Sequence, residues 1–146
     1  MLRLITLLAF GALVCAPASA AEPKSLALMD FELIDEMRPF ATEQARQEVD
    51  RRLVLITAEL AKELERRGMY RVLDRGSAPG AERTARCWVQ KVSNLILNIN
   101  IEVRNAATEE TVYAKSVDIR GNTDETWLRG VRRLVDNIQE RNQHLR

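Results

Sequence analysis

Hydrophobic positions change period along this chain, and each change marks an element. From Lys24 to Ile34 apolar residues fall on both faces of an extended segment: Leu26 and Leu28 alternate with Ala27, Met29, Phe31 and Leu33. That pattern predicts a central strand. Asp30 and Glu32 enter on one face near its end, and Asp35 to Pro39 breaks into a loop. From Thr42 to Arg67 the period becomes helical. Ala45, Val49, Leu53, Ile56, Leu60 and Leu64 form one stripe, with charged and amide side chains on the rest of the surface. Gly68 is the expected stop, since glycine accepts the left-handed conformation past a helix end. Tyr70 to Leu73 follows as a short strand, and strand, helix, strand predicts a parallel, right-handed crossover.

Arg75 to Arg86 is rich in glycine, proline and small residues and reads as a loop. Beyond it, Leu95, Leu97, Ile99, Ile101 and Val103 face one way; Asn94, Ile96, Asn98, Asn100, Glu102 and Arg104 face the other. This unbroken period of two predicts a strand. Upstream, Lys91 and Ser93 would land on the apolar face, so a bulge or bend is expected between Lys91 and Asn94. Asn105 to Glu110 is a polar turn, and Thr111 to Ile119 returns as a hairpin partner. The last helix is expected from Asn122 or Thr123, with Asn122 and Glu125 spaced as a capping box. Trp127, Val131, Leu134, Val135 and Ile138 are its apolar stripe, and the tail after Arg141 is expected to fray. The sum is an α/β (α+β) two-layer sandwich: a four-stranded mixed sheet in the order β-α-β-β-β-α, with two long helices on one face. The polar second face of the Leu95–Val103 strand is what argues for two layers rather than three.

Composition adds a compartment. Arg3 precedes an apolar run from Leu4 to Val14, and small residues at Ala16, Ala18 and Ala20 offer cleavage sites. This is the pattern of a signal peptide over residues 1–20, too short to span a bilayer, which takes about 20 apolar residues. Cleavage is expected after Ala20, leaving one periplasmic domain over 21–146 with no membrane span. Cys15 follows Val14, where lipid attachment wants a small residue. Without Cys15, Cys87 is the only cysteine, which excludes an internal disulfide. The chain has 22 Lys and Arg against 21 Asp and Glu. That balance argues against a nucleic-acid partner, because the basic pairs Arg51-Arg52, Arg66-Arg67 and Arg132-Arg133 lie beside acids on predicted helices.

The strings VQKVSNLILNINIEVRN and VDIRGNTDETW, with SLALMDFELID before them, closely resemble an uncharacterised group of exported proteobacterial proteins, domain of unknown function 2380. The layout is more distantly similar to the amino-terminal domain of TolB and to the curli-export and penicillin-binding-protein-activator lipoproteins. The resemblance implies a non-enzymatic envelope domain that acts through protein contacts. One stretch departs from the group. Where its members carry a helix and an apolar lead-in before VQKVSN, this chain has GAERTARCW. The third strand is therefore expected to start late and to leave an edge exposed.

Catalytic chemistry finds few residues to use. The one histidine, His144, lies in the tail, and no zinc spacing or glycine-rich phosphate loop occurs. No cofactor is implied. Asp30, Glu32, Asp35 and Glu36 cluster after the first strand, but their spacing fits no calcium loop, so a solvated acidic loop is expected. Two places carry candidate binding residues. One is the RGNTDETW corner, with Arg120, Asn122, Asp124 and Trp127 at a helix start that favours an anion. The other is the polar strand face, with Lys91, Asn94, Asn98 and Asn100. The expected function is a non-catalytic periplasmic accessory domain that binds an unknown envelope protein through that face and corner. The alternative is a small-anion or metal-ion binding protein.

Overall fold

Thr42 starts the first helix as its cap: its Oγ1 accepts from Ala45 N at 3.2 Å. Helix α1 then runs Glu43–Arg66 and buries Leu53, Ile56, Leu60 and Leu64, while Val49 packs at the core's margin. Gly68, at φ +62°, ends it; Gly68 N bonds Glu65 O and Met69 N bonds Leu64 O. These features come from a computed structural model that describes residues 21–73 and 79–144. The expected signal peptide and Cys15 lie outside the described residues, as does part of the expected loop.

The sheet has six strands, not four. They are β1 (Ser25–Leu28), β2 (Glu32–Ile34), β3 (Arg71–Leu73), β4 (Arg83–Lys91), β5 (Ile96–Asn105) and β6 (Thr111–Arg120). The order is β3-β1-β4-β5-β6, with β2 also on β4. The β1–β3, β1–β4 and β2–β4 pairs are parallel, and the two hairpins β4–β5 and β5–β6 are antiparallel. Two departures account for the difference.

The first is that the expected Lys24–Ile34 strand is divided. Leu28 pairs with Ala85 and Glu32 with Trp88, so four steps on one side face three on the other. The extra residue is absorbed at Asp30 and Phe31. Met29 N still bonds Ala85 O, and Phe31 turns into the core with its N–H donated to Thr57 Oγ1 at 3.1 Å. The second is that β4 occupies GAERTARCW. It starts at Arg83 rather than late, and it pairs along its whole length with β5. Ala85, Cys87 and Val89 alternate inward, each fully buried.

The Lys91–Asn94 irregularity is the reverse turn of that hairpin, not a bulge within one strand. Val92 N and Ser93 N both bond Ile96 O, and Ser93 Oγ accepts from Leu95 N and Ile96 N. Leu95 is consequently 72% exposed instead of in the core. The register shift of the sheet falls between Val103 and Arg104.

Helix α2 (Asp124–His144) lies against β5 and β6. A Cβ on Gly130 would stand 2.5 Å from Ile119 Cγ2 and 2.7 Å from Ile99 Cδ1, so this glycine sets how closely helix and sheet approach. The helix runs on to His144, past the fraying expected from Arg141. Its cap is Thr123 with Thr126, one position after the expected Asn122–Glu125 box. Thr126 N donates to Thr123 Oγ1, and Thr123 N to Thr126 Oγ1. Threonine takes the place of the usual acid because its hydroxyl both accepts and donates.

Candidate interaction surface

With the odd-numbered side chains of β4, β5 and β6 turned inward, the even-numbered ones form a face that neither helix covers. Cross-strand register lays it out in rows. Gln90, Asn98 and Asp118 form one; Trp88, Asn100 and Ser116 the next; Arg86, Glu102 and Ala114 the third. All are exposed or half-buried. Asn98 and Asn100 are thus neighbours on the outer face, and residues 96–105 are strand.

Both asparagines have bonding partners within the sheet, which answers why a strand tolerates them. Asn98 Nδ2 donates to Asp118 Oδ1 at 2.7 Å. Asn100 Nδ2 donates to Asn98 O at 3.0 Å and, at 3.5 Å, to Trp88 O. Glu102 accepts from Thr111 Oγ1 and from Arg104; those bonds, Thr111's first, lower its pKa. In the middle stands the half-buried ring of Trp88, with the Arg86 guanidinium 5.8 Å from its centroid and Arg86 also paired to Glu32. Trp88 and Arg86 were not among the residues expected from sequence. The signal was present in Ala85, Cys87 and Val89 alternating with Arg86, Trp88 and Gln90, and the preceding Gly/Pro-rich stretch masked it.

Lys91 and Asn94 sit at one end of this face. With Ile34, Asp35 and Met37 they line a cavity of about 270 Å³. Lys91 Nζ lies 3.4 Å from Asp35 Oδ2, so its partner is the acidic loop and not the Arg120 corner. Of the expected acidic cluster, Asp35 also accepts from Met37 N, and Glu32 pairs with Arg86. Among the described residues no group of three His, Cys, Asp or Glu stands together as a metal-holding set. Cys87 is enclosed in the core, and burial pushes its thiol pKa up, which removes the reactive thiolate.

The RGNTDETW corner is largely a joint between helices. Trp127 is 1% exposed, and its Nε1 donates to Asn122 Oδ1 at 3.0 Å. Asn122 Oδ1 also accepts from Arg52, while Asp124 Oδ1 accepts from Arg51 at 2.7 Å and Arg52 at 2.9 Å. These bonds, Arg51's first, hold the Asp124 carboxyl at a pKa of about 2. Of the four corner residues, only Arg120 is left facing outward with no carboxylate among the described residues. Buried packing and helix-to-helix bonds occupy the other three.

Residues 74–138 match the model of a family described as Protein of unknown function (DUF2380). The matched segment contains VQKVSN and RGNTDETW, the strings on which the resemblance to this uncharacterised family rests. No curated protein matches the chain in sequence. Among solved structures, a PelC dodecamer from Paraburkholderia phytofirmans is 10% identical, with a TM-score of 0.54 over 81% of this chain and 89% of that one. Lipoprotein GNA1162 from Neisseria meningitidis is 13% identical, with a TM-score of 0.50 over 81% and 97%. TolB from Acinetobacter baumannii is 8% identical, with a TM-score of 0.45 over 71% of this chain and 25% of that one. At such identities, the likeness to PelC and GNA1162 is one of fold.

Proposed function

We propose that this chain is a non-catalytic accessory domain of the periplasm that docks a protein partner on the open face of its sheet. Trp88 is the central anchor, Asn98 and Asn100 flank it, and Lys91, Asn94 and Arg120 lie at the rim. Asn122, Asp124 and Trp127 serve the site indirectly, by holding the joint from which Arg120 projects. The observation that carries this reading is the helix-free face of β4, β5 and β6 with a half-buried tryptophan and an arginine at its middle. Tryptophan and arginine dominate the energy of measured interfaces, particularly where rim residues exclude water around them. The export pattern of residues 1–20 supplies the compartment.

Site-specific photo-crosslinking in the native envelope tests it. A photoreactive residue at Trp88 or Asn98 is expected to give a discrete adduct, and one at Gln47, on the exposed surface of α1, is expected to give none. PelC, which shares the fold, is a dodecamer, so the same gel reads self-association at the mass of two copies. Equal adducts from Gln47, or none from the sheet face, would overturn the proposal.

A further inference from the structure

Arginines on this protein are mostly spoken for. Arg38, Arg46, Arg51, Arg52, Arg66, Arg67, Arg86, Arg104 and Arg132 each reach a carboxylate. Arg141 stands over the Tyr113 ring and donates to Val112 O. Among the described residues the side chains of Arg71, Arg120, Arg129 and Arg133 make no hydrogen bond and no ion pair, and the last three line one cleft. It has a volume of about 330 Å³ and lies between the free edge of β6 and helix α2, with Asp118, Ile119, Thr126 and Gly130 completing its walls.

Three guanidiniums around one concavity are costly to keep without a counter-charge. Arg129 and Arg133 are four apart on one helix, a like-charge spacing that destabilises an isolated helix by a few tenths of a kcal/mol. The single acid in the wall, Asp118, already accepts a hydrogen bond from Asn98. Its charge leaves the cleft at a net +2. A phosphate monoester carries about −1.5 to −2 at pH 7 and offers three oxygens to forked donors. Lysine would supply the charge alone; arginine supplies the paired N–H geometry that phosphate takes.

We infer that Arg120, Arg129 and Arg133 form a binding site for a phosphate group, carried either on a soluble phosphomonoester or on a lipid headgroup. The cleft exceeds the volume of phosphate alone, so the group enters attached to a larger molecule. The cleft shares Asp118 and Arg120 with the margin of the Trp88 face, but Arg129 and Arg133 belong to the cleft alone, so variants of those two test it independently.

Titration calorimetry of the exported chain at low ionic strength, with inorganic phosphate and with glycerol 3-phosphate, is the test. Co-sedimentation with phosphatidylglycerol vesicles, against phosphatidylcholine vesicles, runs in parallel. Arg129→Gln with Arg133→Gln is expected to weaken binding about tenfold or more while circular dichroism stays unchanged, since both positions are exposed. Arg46→Gln, which removes a paired arginine from the outer surface of α1, is expected to leave binding within about twofold. Binding of glycerol 3-phosphate identifies a soluble ligand, and selective binding of phosphatidylglycerol identifies a lipid. Absence of both at millimolar ligand, or equal losses in Arg46→Gln and the double variant, would overturn the assignment.

Discussion

Glu63 brings a charge into the buried side of the helix layer. Its side chain is only 7% exposed, yet it accepts from Arg66 at 2.7 Å and from Arg67 at 3.2 Å. Arg67 then crosses to α2, donating to Asp136 at 2.6 Å and Gln139 at 2.9 Å. The bond from Arg66, followed by that from Arg67, holds the carboxyl at a pKa of about 2 against an ordinary 4.5, although burial opposes the shift. A carboxylate lowered that far contributes at most about 3 kcal/mol when ionised in the folded state. Arg66 is 60% exposed, so water screens the stronger of the two pairs and brings the figure to about 1–2 kcal/mol. Because the folded pKa lies below the unfolded one, this stabilisation is present above pH 4.5 and is lost as the pH falls from there towards 2. Glu63→Gln keeps the shape and removes the charge. It is expected to lower unfolding free energy by about 1–2 kcal/mol at neutral pH, with the gap to the parent closing below pH 4.5. Urea denaturation followed by circular dichroism across that range reads the gap directly. A gap that stayed constant down to pH 2 would assign the loss to packing, and no loss at neutral pH would remove the charge argument altogether.

Gly130→Ala would drive a methyl to within 2.7 Å of both Ile119 and Ile99. The crowding costs about 1–3 kcal/mol against about 1 kcal/mol gained in helix propensity, so a net loss of about 0–2 kcal/mol is expected in the same denaturation assay. Among the described residues the buried Tyr113 hydroxyl has no hydrogen-bond partner. Tyr113→Phe should therefore leave stability unchanged or raise it by up to about 1 kcal/mol, and a loss of that size would reveal a partner. Thr123→Ala removes the N-cap hydroxyl of α2, which accepts from Thr126 N and donates to Thr126 Oγ1. About 1 kcal/mol of stability is expected to go with it, measured as a lower urea midpoint at unchanged slope.

The helices were legible because their stripes are long. Leu53, Ile56, Leu60 and Leu64 recur at helical spacing and are buried, as are Trp127, Val131, Leu134, Val135 and Ile138. Four strands were legible for the same reason, on shorter runs. What the pattern hid was length and turn chemistry. A single extra residue around Asp30 divides the first strand, and no period-two count over eleven residues detects one insertion. In β4, inward positions held by alanine and cysteine are weak apolar signals beside the Gly/Pro-rich loop before them. The candidate site suffered accordingly. Asn98 and Asn100 were placed on the outer face by simple alternation, while Trp88 was lost with the strand that carries it. Asn122, Asp124 and Trp127 share a corner with Arg120 in sequence, but only tertiary packing shows that α1 occupies the oxygens of Asn122 and Asp124 while Trp127 is buried against Asn122.

Arginine on this protein does two opposed things, and the contrast bears on where recognition happens. Along the line where α1 meets α2, Arg51 and Arg52 bond Asp124, Arg67 bonds Asp136 and Arg132 bonds Glu59. Both helices use their apolar faces against the sheet, so the line between them is joined by paired charges. Each pair keeps at least one partner open to water, so each adds only about 0.2–1 kcal/mol. They also leave few free donors or acceptors there for a partner. The far side of the sheet is also bonded, through Asn98 to Asp118, Arg86 to Glu32 and Arg104 to Glu102, and differs in its aromatic ring and at its β6 edge. There Trp88 is only half covered, and Arg120, Arg129 and Arg133 meet no carboxylate among the described residues. A surface whose bonding is complete has little to gain from a partner. On the reading proposed above, a partner covers the half-exposed Trp88 ring and exchanges water for its own acceptors at the exposed guanidiniums, and the gain from the ring is the larger of the two.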